Sequence, residues 1–260
     1  MTKRPLPTHL MLAALLLVAT GCASSKGNTQ SDNAKAASAD QTKNAASQVE
    51  LIDREVLFGN ADRRQVRISP NGEKLAYLAP KDGVMNVWVA PIDDLEAAKP
   101  VTDNQDRGIP FYRWAYTNDH ILFGKDKDGN ENWHIYRVDL ASGSQKDLTP
   151  YKGVKASIQE LSPSQPKKML AAINKRNKKY HDLYRIDLAS GKTEMIQKNT
   201  GKFASWVTDD NFAVRLAARQ DKKGGTNYLK PDGEGGWTPL IELSRKDALT
   251  TNVARAAGSP

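Results

Sequence analysis

The sequence predicts an all-β fold, a partial and open β-propeller of about four four-stranded blades. Two nearly identical segments, YRVDLASG at residues 136–143 and YRIDLASG at residues 184–191, lie 48 residues apart, and an apolar run around Trp88 falls one period earlier. Each period also holds short strand-like runs separated by turn residues. A fixed period in the forties with four short strands is typical of propeller blades. A sandwich or open meander of duplicated hairpins is the alternative.

The first period shows how one blade is read from the sequence. Residues 65–68 and 74–78 are strand candidates joined by Ser-Pro-Asn-Gly at 69–72. This tetrapeptide predicts a tight turn, because proline presets φ and both asparagine and glycine tolerate positive φ. The third strand begins at 87–89, and the blade closes at 101–102.

The later periods repeat this order, and no stretch shows a helical stripe over three turns. The second period has strand candidates at 112–115, 120–124 and 133–140, with turns at 118–119 and 126–130. The third and fourth have candidates at 157–161, 168–174, 183–188, 203–207, 212–218 and 227–230. Blades are therefore expected within residues 51–247, followed by an irregular tail at 248–260.

The first 21 residues have the pattern of a secretory signal peptide. Lys3 and Arg4 precede an apolar run at 10–18, and small residues then lead to Cys22, the single cysteine of the chain. This segment resembles the lipobox of bacterial lipoproteins, which implies cleavage before Cys22 and lipidation of that residue. Two or more acyl chains give lasting membrane attachment. An ordinary signal peptide with an incidental cysteine is the alternative.

Residues 22–50 are expected to form a disordered tether after the acylated Cys22. Beyond the cysteine they consist almost wholly of small and polar residues, which cannot bury enough apolar area to offset the entropy of ordering. Ala23 directly after the cysteine resembles lipoproteins sorted to the outer membrane of Gram-negative cells. The expected location is the bacterial cell envelope, with the folded part facing the periplasm.

Six segments carry a resemblance to a known family. They are REVLFGN at 54–60, ISPNGEKLAY at 68–77, NVWVAP at 86–91, DKDGNENWHIYRVDL at 126–140, YHDLY at 180–184 and DALTT at 247–251. Their identity and order resemble the N-terminal propeller of the prolyl oligopeptidase family of serine peptidases, in its acylaminoacyl-peptidase-like branch. In that family, a propeller of seven or eight blades caps an α/β-hydrolase domain and filters access to a Ser-Asp-His triad.

The chain is not expected to hold that triad. It contains no Gly-x-Ser-x-Gly, the motif that exposes a nucleophilic serine on a sharp turn. His9 lies in the signal, and His120, His134 and His181 lie within blade patterns, the last two at nearly equivalent places that suggest a repeated packing role. We therefore predict no catalytic residue and no cofactor.

The resemblance implies the substrate-gating, non-catalytic propeller portion of an exported serine peptidase, truncated before its hydrolase domain. The expected partner is then a peptide substrate, bound by the intact family relative. The alternative is a TolB-like propeller lipoprotein that binds proteins or peptides in the cell envelope. Uncovered blade edges at the two ends of such a partial ring predict self-association.

Three local features suggest other sites, each with a structural alternative. Residues 126–131 are similar to a calcium loop, but Gly129 stands at the fourth position where the EF-hand needs the sixth, so we predict a hairpin tip and no metal site. The basic run at 175–179 is expected to be a solvated hairpin end. Trp114, Trp133 and Trp206 are expected at seams between blades.

The net charge of +8 does not indicate nucleic-acid binding. The lysines are spread over the tether and the hairpin tips, and no nucleic-acid-binding motif is present. Nonspecific attraction to anionic envelope surfaces is expected instead.

Overall fold

The computed structural model describes residues 51–253 and 256, and within them it confirms a partial, open propeller of four blades. Each blade is an antiparallel sheet whose four strands follow one another in sequence order. The helices are single turns, α1 at Arg54–Phe58 and α2 at Arg245–Ala248, with one 3₁₀ turn at Leu95–Ala97. Cys22, the signal peptide and the tether lie outside the described residues.

The strands of the first two blades lie close to the predicted positions. Blade 1 contains β1 (Arg64–Ile68), β2 (Lys74–Lys81), β3 (Val84–Pro91) and β4 (Lys99–Pro100), and blade 2 contains β5 (Tyr112–Trp114), β6 (His120–Lys125), β7 (His134–Asp139) and β8 (Gln145–Asp147).

The other two blades repeat the arrangement. Blade 3 contains β9 (Ala156–Glu160), β10 (Lys168–Asn177), β11 (Tyr180–Asp187) and β12 (Thr193–Gln197), and blade 4 contains β13 (Ser205–Thr208), β14 (Val214–Gln220), β15 (Thr226–Pro231) and β16 (Trp237–Leu243). The less regular fourth period is thus a complete blade. After α2, Val253 and Ala256 pack against a buried cluster on blade 4, so this part of the expected irregular tail contacts the blade.

The aromatic residues that mark the sequence period occupy one structural position. Trp88 lies opposite Tyr77, and Tyr136 lies opposite Phe123, each on the third strand of its blade facing the second. Tyr184 takes the same place in blade 3. The sequence period therefore corresponds to the blade repeat.

The predicted turns have the backbone conformations that their residues favour. Gly72 has φ of 80° and closes the turn between β1 and β2, where its N–H donates to the Ser69 carbonyl over 2.9 Å. Asn118 has φ of 62° in the equivalent turn of blade 2. Asparagine tolerates this left-handed region better than most residues, which explains its place there.

The core lies in the seams between neighbouring blades. On β6, Ile121 and Phe123 pack towards blade 1, while Leu122 between them packs towards blade 3. Alternate residues of a strand point to opposite faces, so each inner blade buries both faces. A third seam joins blades 3 and 4 through a cluster that includes Phe203 and Trp206.

Hydrogen bonds also cross the seams at repeating positions. The Tyr112 hydroxyl lies 2.6 Å from the Gln65 carbonyl oxygen and 2.7 Å from that of Ala76, and the Trp114 indole N–H donates to the Arg67 carbonyl over 3.1 Å. Burial, partly offset by the nearby Arg67 charge, raises the pKa of Tyr112 well above its usual range and keeps the hydroxyl protonated.

Blades 3 and 4 are joined by similar bonds. The Gln159 amide donates to the Trp206 carbonyl over 2.9 Å, and the Ser162 hydroxyl donates to the Asp210 carbonyl over 2.6 Å. The partners are 47 and 48 residues apart, and at the first seam Tyr112 and Gln65, like Trp114 and Arg67, are also 47 residues apart. Polar ties between inner strands thus recur along the array.

In the part of the chain that the structure describes, no helix is long and apolar enough to cross a membrane.

Replacing Tyr112 with phenylalanine tests the polar tie between blades 1 and 2. The carbonyls of Gln65 and Ala76 would lose their shared donor, so we expect the free energy of unfolding to fall by about 1–3 kcal/mol. Tyr116→Phe is the matched control, because the described residues offer the Tyr116 hydroxyl no hydrogen-bond partner. Urea unfolding followed by circular dichroism measures both variants, and an unchanged midpoint for Tyr112→Phe would contradict the bridging role.

Candidate functional site

A cavity of about 1040 Å³ opens at one end of blade 2. Three segments line it: the connector from blade 1 to blade 2, the hairpin between β6 and β7, and the connector from blade 2 to blade 3. They meet because antiparallel strands alternate in direction. The hairpins between second and third strands and the connectors between blades therefore share one end of the array.

Arg107 and Asp126 form the ion pair at the centre of this cavity. The Arg107 guanidinium lies 3.2 Å from Asp126, whose side chain is only 1% exposed, and it also covers the ring of Trp133 with 5.6 Å between the guanidinium carbon and the ring centroid. The Glu131 backbone N–H donates to the same carboxylate over 3.0 Å. Asp126 thus joins the connector to the hairpin.

The acidic segment at residues 126–131 lies at the tip of the β6–β7 hairpin, as predicted. Asp128, Gly129 and Glu131 all have positive φ, as tight loops require. At Gly129 a side chain would meet the Arg107 guanidinium, with 2.6 Å between the Cβ and a guanidinium nitrogen. The described residues include no cluster of three metal-ligating side chains. The segment is therefore a strained tip that packs against Arg107.

His134 and Asp147 form a second pair on the cavity wall. The Nδ1 of His134 lies 2.7 Å from the Asp147 carboxylate, which also accepts from the Thr149 backbone N–H over 2.8 Å. Burial and then the negative charge of Asp147 raise the pKa of the neighbouring Tyr136 hydroxyl. A neutral His134 that donates from Nδ1 has Nε2 left as an acceptor. In that tautomer the Nε2 of His134 can accept a hydrogen bond from a ligand.

The cavity lining lacks the hydroxyl and thiol side chains that serine and cysteine peptidases use. No serine, threonine or cysteine is found among the residues that line it. Acyl transfer requires a nucleophile within hydrogen-bond reach of its base. The lining combines charged, polar and aromatic groups, which can bind a polar ligand.

The other two described histidines are held within the blades. His120 lies 2.8 Å from the Thr117 hydroxyl and 3.3 Å from Asp139, and His181 is half-buried on β11. His134 lines the cavity and is paired with Asp147, whereas His181 does neither. The expected repeated packing role of His134 and His181 is therefore wrong. Counted from the aromatic residue that marks each blade, the two histidines differ in position by one residue, and their side chains have different surroundings.

The basic run at residues 175–179 forms the mostly exposed end of the β10–β11 hairpin, as predicted, and it also makes specific contacts. Arg176 donates two 2.8 Å bonds to the buried carboxylate of Asp182, and the Lys175 ammonium lies 3.8 Å above the Tyr151 ring centroid. Lys178 donates to the Gly153 carbonyl over 2.5 Å. The contacts of Lys175 and Lys178 thus join this solvated hairpin end to the connector beside the cavity.

The three tryptophans separate into two groups. Trp114 bonds across the first seam and Trp206 packs in the third, as predicted. Trp133 instead faces the cavity, tilted against Phe111 with 6.4 Å between the ring centroids. Sequence reasoning also missed Arg107 and Asp147, because neither residue belongs to a local pattern and both gain their partners only through tertiary contacts.

No family model matches the chain. It is 39% identical over 203 residues to dipeptidyl aminopeptidase BIII of Pseudoxanthomonas mexicana, an alignment that covers 78% of this chain and 30% of that protein. It is 24% identical over 218 residues to dipeptidyl peptidase family member 6 of Caenorhabditis elegans, covering 78% and 29% respectively. The chain thus spans less than a third of the length of the curated relatives it matches.

Propeller structures were also found. The β-propeller domain of the trilobed protease from Pyrococcus furiosus aligns with a TM-score of 0.46 and 17% identity over 69% of this chain and 56% of that one. TolB from Acinetobacter baumannii aligns with a TM-score of 0.47 and 14% identity over 69% and 43%.

The buried histidines predict a pH dependence of stability. Burial, followed by the nearby cations Arg137 and Lys155 respectively, lowers the pKa of His120 and of His181 below the ordinary value. Below about pH 6.5 the unfolded chain therefore binds more protons than the folded one, and the free energy of unfolding must fall as the pH decreases.

We expect this loss between about pH 7 and about pH 5, before most carboxyl groups titrate. The double variant His120→Gln, His181→Gln should show a weaker dependence over the same interval. Urea unfolding at several pH values measures both proteins. Equal slopes for the variant and the original chain would contradict this assignment.

Proposed function

Since the chain is an N-terminal propeller of the prolyl oligopeptidase family, we propose that it is the substrate-gating, non-catalytic portion of an exported serine peptidase. The observation that carries this proposal is the 39% identity to a dipeptidyl aminopeptidase over 203 residues, 78% of this chain. Catalysis would reside in residues outside these blades, and the blades would restrict which peptides reach them.

The architecture supports a gating role. Four sheets packed face to face leave their cavities at the two ends of the blades, where a substrate would approach. The cavity on blade 2 combines an aromatic face at Trp133, an acceptor at His134 and paired charges at Arg107 and Asp126. These groups suit the backbone amides and side chains of a peptide, and no serine, threonine or cysteine lies among the residues that line the cavity.

The first test asks whether the chain itself cleaves peptides. Purified chain mixed with a dipeptidyl methylcoumarylamide should release no more fluorophore than buffer, and it should not react with a fluorophosphonate probe for activated serines. An active serine peptidase serves as the positive control. Release of fluorophore that the fluorophosphonate abolishes would contradict the non-catalytic assignment.

The second part of that test asks whether the blades filter by size. Residues 52–253 would replace the matching segment of the Pseudoxanthomonas mexicana relative, and hydrolysis of a dipeptidyl substrate would be compared with that of an unfolded protein. We expect kcat/KM for the unfolded protein to stay at least about tenfold lower, a difference of about 1.4 kcal/mol in the barrier. The unmodified relative is the control for folding and activity.

Equal hydrolysis of both substrates by an active chimera would refute the gating role. Tight capture of a peptide or protein by the isolated chain, together with that result, would favour a TolB-like binding module instead.

We propose in addition that Cys22 is lipidated and anchors the chain in the bacterial cell envelope, facing the periplasm. The support is the basic start, the short apolar run and the small residues that precede this cysteine. Acylation of both its sulfur and its amine would supply the two or more chains that stable anchoring requires.

Cys22→Ala should abolish this attachment, because alanine has no thiol to acylate. In a bacterial host the wild-type chain should sediment with membranes and incorporate labelled palmitate, whereas Cys22→Ala should do neither. Ser24→Ala, two residues further on, is the matched control and should behave as wild type. Palmitate retained by Cys22→Ala would disprove the assignment.

A further inference from the structure

A second cavity lies at the opposite end of the blades from the first. It has a volume of about 450 Å³ and is lined by the inner strands β1, β5 and β9 together with the turns that follow β1 and β5. These turns join first to second strands, and so they lie at the end away from the connectors between blades. The cavity is therefore built by three blades together.

Two arginines occupy the same position on neighbouring inner strands of this cavity. Arg67 on β1 lies opposite Ala76, and Arg113 on β5 lies opposite Leu122. Ala76 and Leu122 are equivalent positions on the second strands of blades 1 and 2. In each blade, the next residue along the second strand lies opposite the aromatic residue that marks the sequence period. On β9 the corresponding position, opposite Leu170, is held by Glu160.

Both guanidinium groups are exposed and lack an acidic partner. Within the described residues neither Arg67 nor Arg113 donates a side-chain hydrogen bond or forms an ion pair, although both line the cavity. Arg176 by contrast is bound to a buried aspartate. Like charges held near each other repel, and an anion between them removes that repulsion.

The remaining charge in the cavity leaves it positive. Glu160 is its acidic residue, and one of its carboxylate oxygens accepts the backbone N–H of Leu161 over 3.2 Å. Two cations and one anion thus face the same space. Trp114, Tyr116 and Ile158 add apolar and aromatic surface beside the charges.

We propose that this cavity binds a carboxylate group of a peptide between Arg67 and Arg113, which deepens and rests on the gating function proposed above. A guanidinium presents a planar fork of donors that matches the two oxygens of a carboxylate. The aromatic and apolar neighbours contact the rest of the peptide. The carboxylate comes from the C terminus or from an aspartate or glutamate side chain, and the site favours acidic over basic peptides.

The sources can be separated by titrating the purified chain with four probes in a calorimeter. These are acetyl-Ala-Ala-Ala with a free C terminus, acetyl-Ala-Glu-Ala-amide, the uncharged acetyl-Ala-Ala-Ala-amide, and inorganic phosphate. We expect at least one carboxylate peptide to bind about tenfold more tightly than the uncharged peptide, and more weakly as salt is added. Which carboxylate binds identifies the source.

Single substitutions test the residues themselves. Arg67→Gln and Arg113→Gln should each weaken carboxylate binding by about tenfold, the effect of losing one charge-assisted contact. Glu160→Gln should strengthen binding, because it removes a repulsive charge, and no purely structural role predicts that sign. Arg219→Gln, which removes an exposed arginine of β14 on blade 4, is the matched control and should leave binding unchanged.

Equal affinity for the charged and uncharged peptides, or variants that bind as the original chain does, would overturn the proposal. Phosphate binding tighter than that of either carboxylate would overturn the assignment to peptides. Thermal melting of each variant shows whether it is folded. The titration requires no hydrolysis, so its failure is distinguishable from failure of the gating test in the chimera.

Discussion

Burial between neighbouring blades is the constraint on which this structure depends. A blade such as that of β5–β8 sends Leu122 into one seam and Phe123 into the other, so neither face of its sheet is left to solvent. A four-stranded sheet that is apolar on both faces cannot be stable alone and needs a neighbour on each side. The strand order, the short turns and the repeated aromatic residues are all consistent with this face-to-face packing of blades.

Both cavities follow from the same stacking. Inner strands of successive blades converge, and their first turns enclose the smaller cavity, while connectors and second hairpins enclose the larger one at the other end. Each cavity is therefore lined by side chains from different blades, although no strand of one blade pairs with a strand of another. The charges that these segments bring together determine the chemistry of each cavity. The larger cavity contains Arg107 and Asp126, and the smaller one contains Arg67 and Arg113.

The comparison of sequence with structure shows where local patterns are sufficient. The repeat that joins Trp88, Tyr136 and Tyr184 predicted the blade phase, and the three residues occupy one register position. The basic run at 175–179 is exposed at a hairpin end, as its charge pattern predicted. The pattern did not predict that Arg176 pairs with the buried carboxylate of Asp182. A run of like charges does not reveal which buried acid it will reach.

The sequence by itself determined the all-β repeat, the position of most strands and turns, the absence of a nucleophile elbow and the family resemblance. These properties reside in short-range spacing and residue type, which survive without a structure. Only the tertiary structure decided that Arg107 covers Trp133, that His134 pairs with Asp147 and that two unpaired arginines share a cavity. Those contacts join segments from different strands and connectors, and their distances depend on how the blades pack.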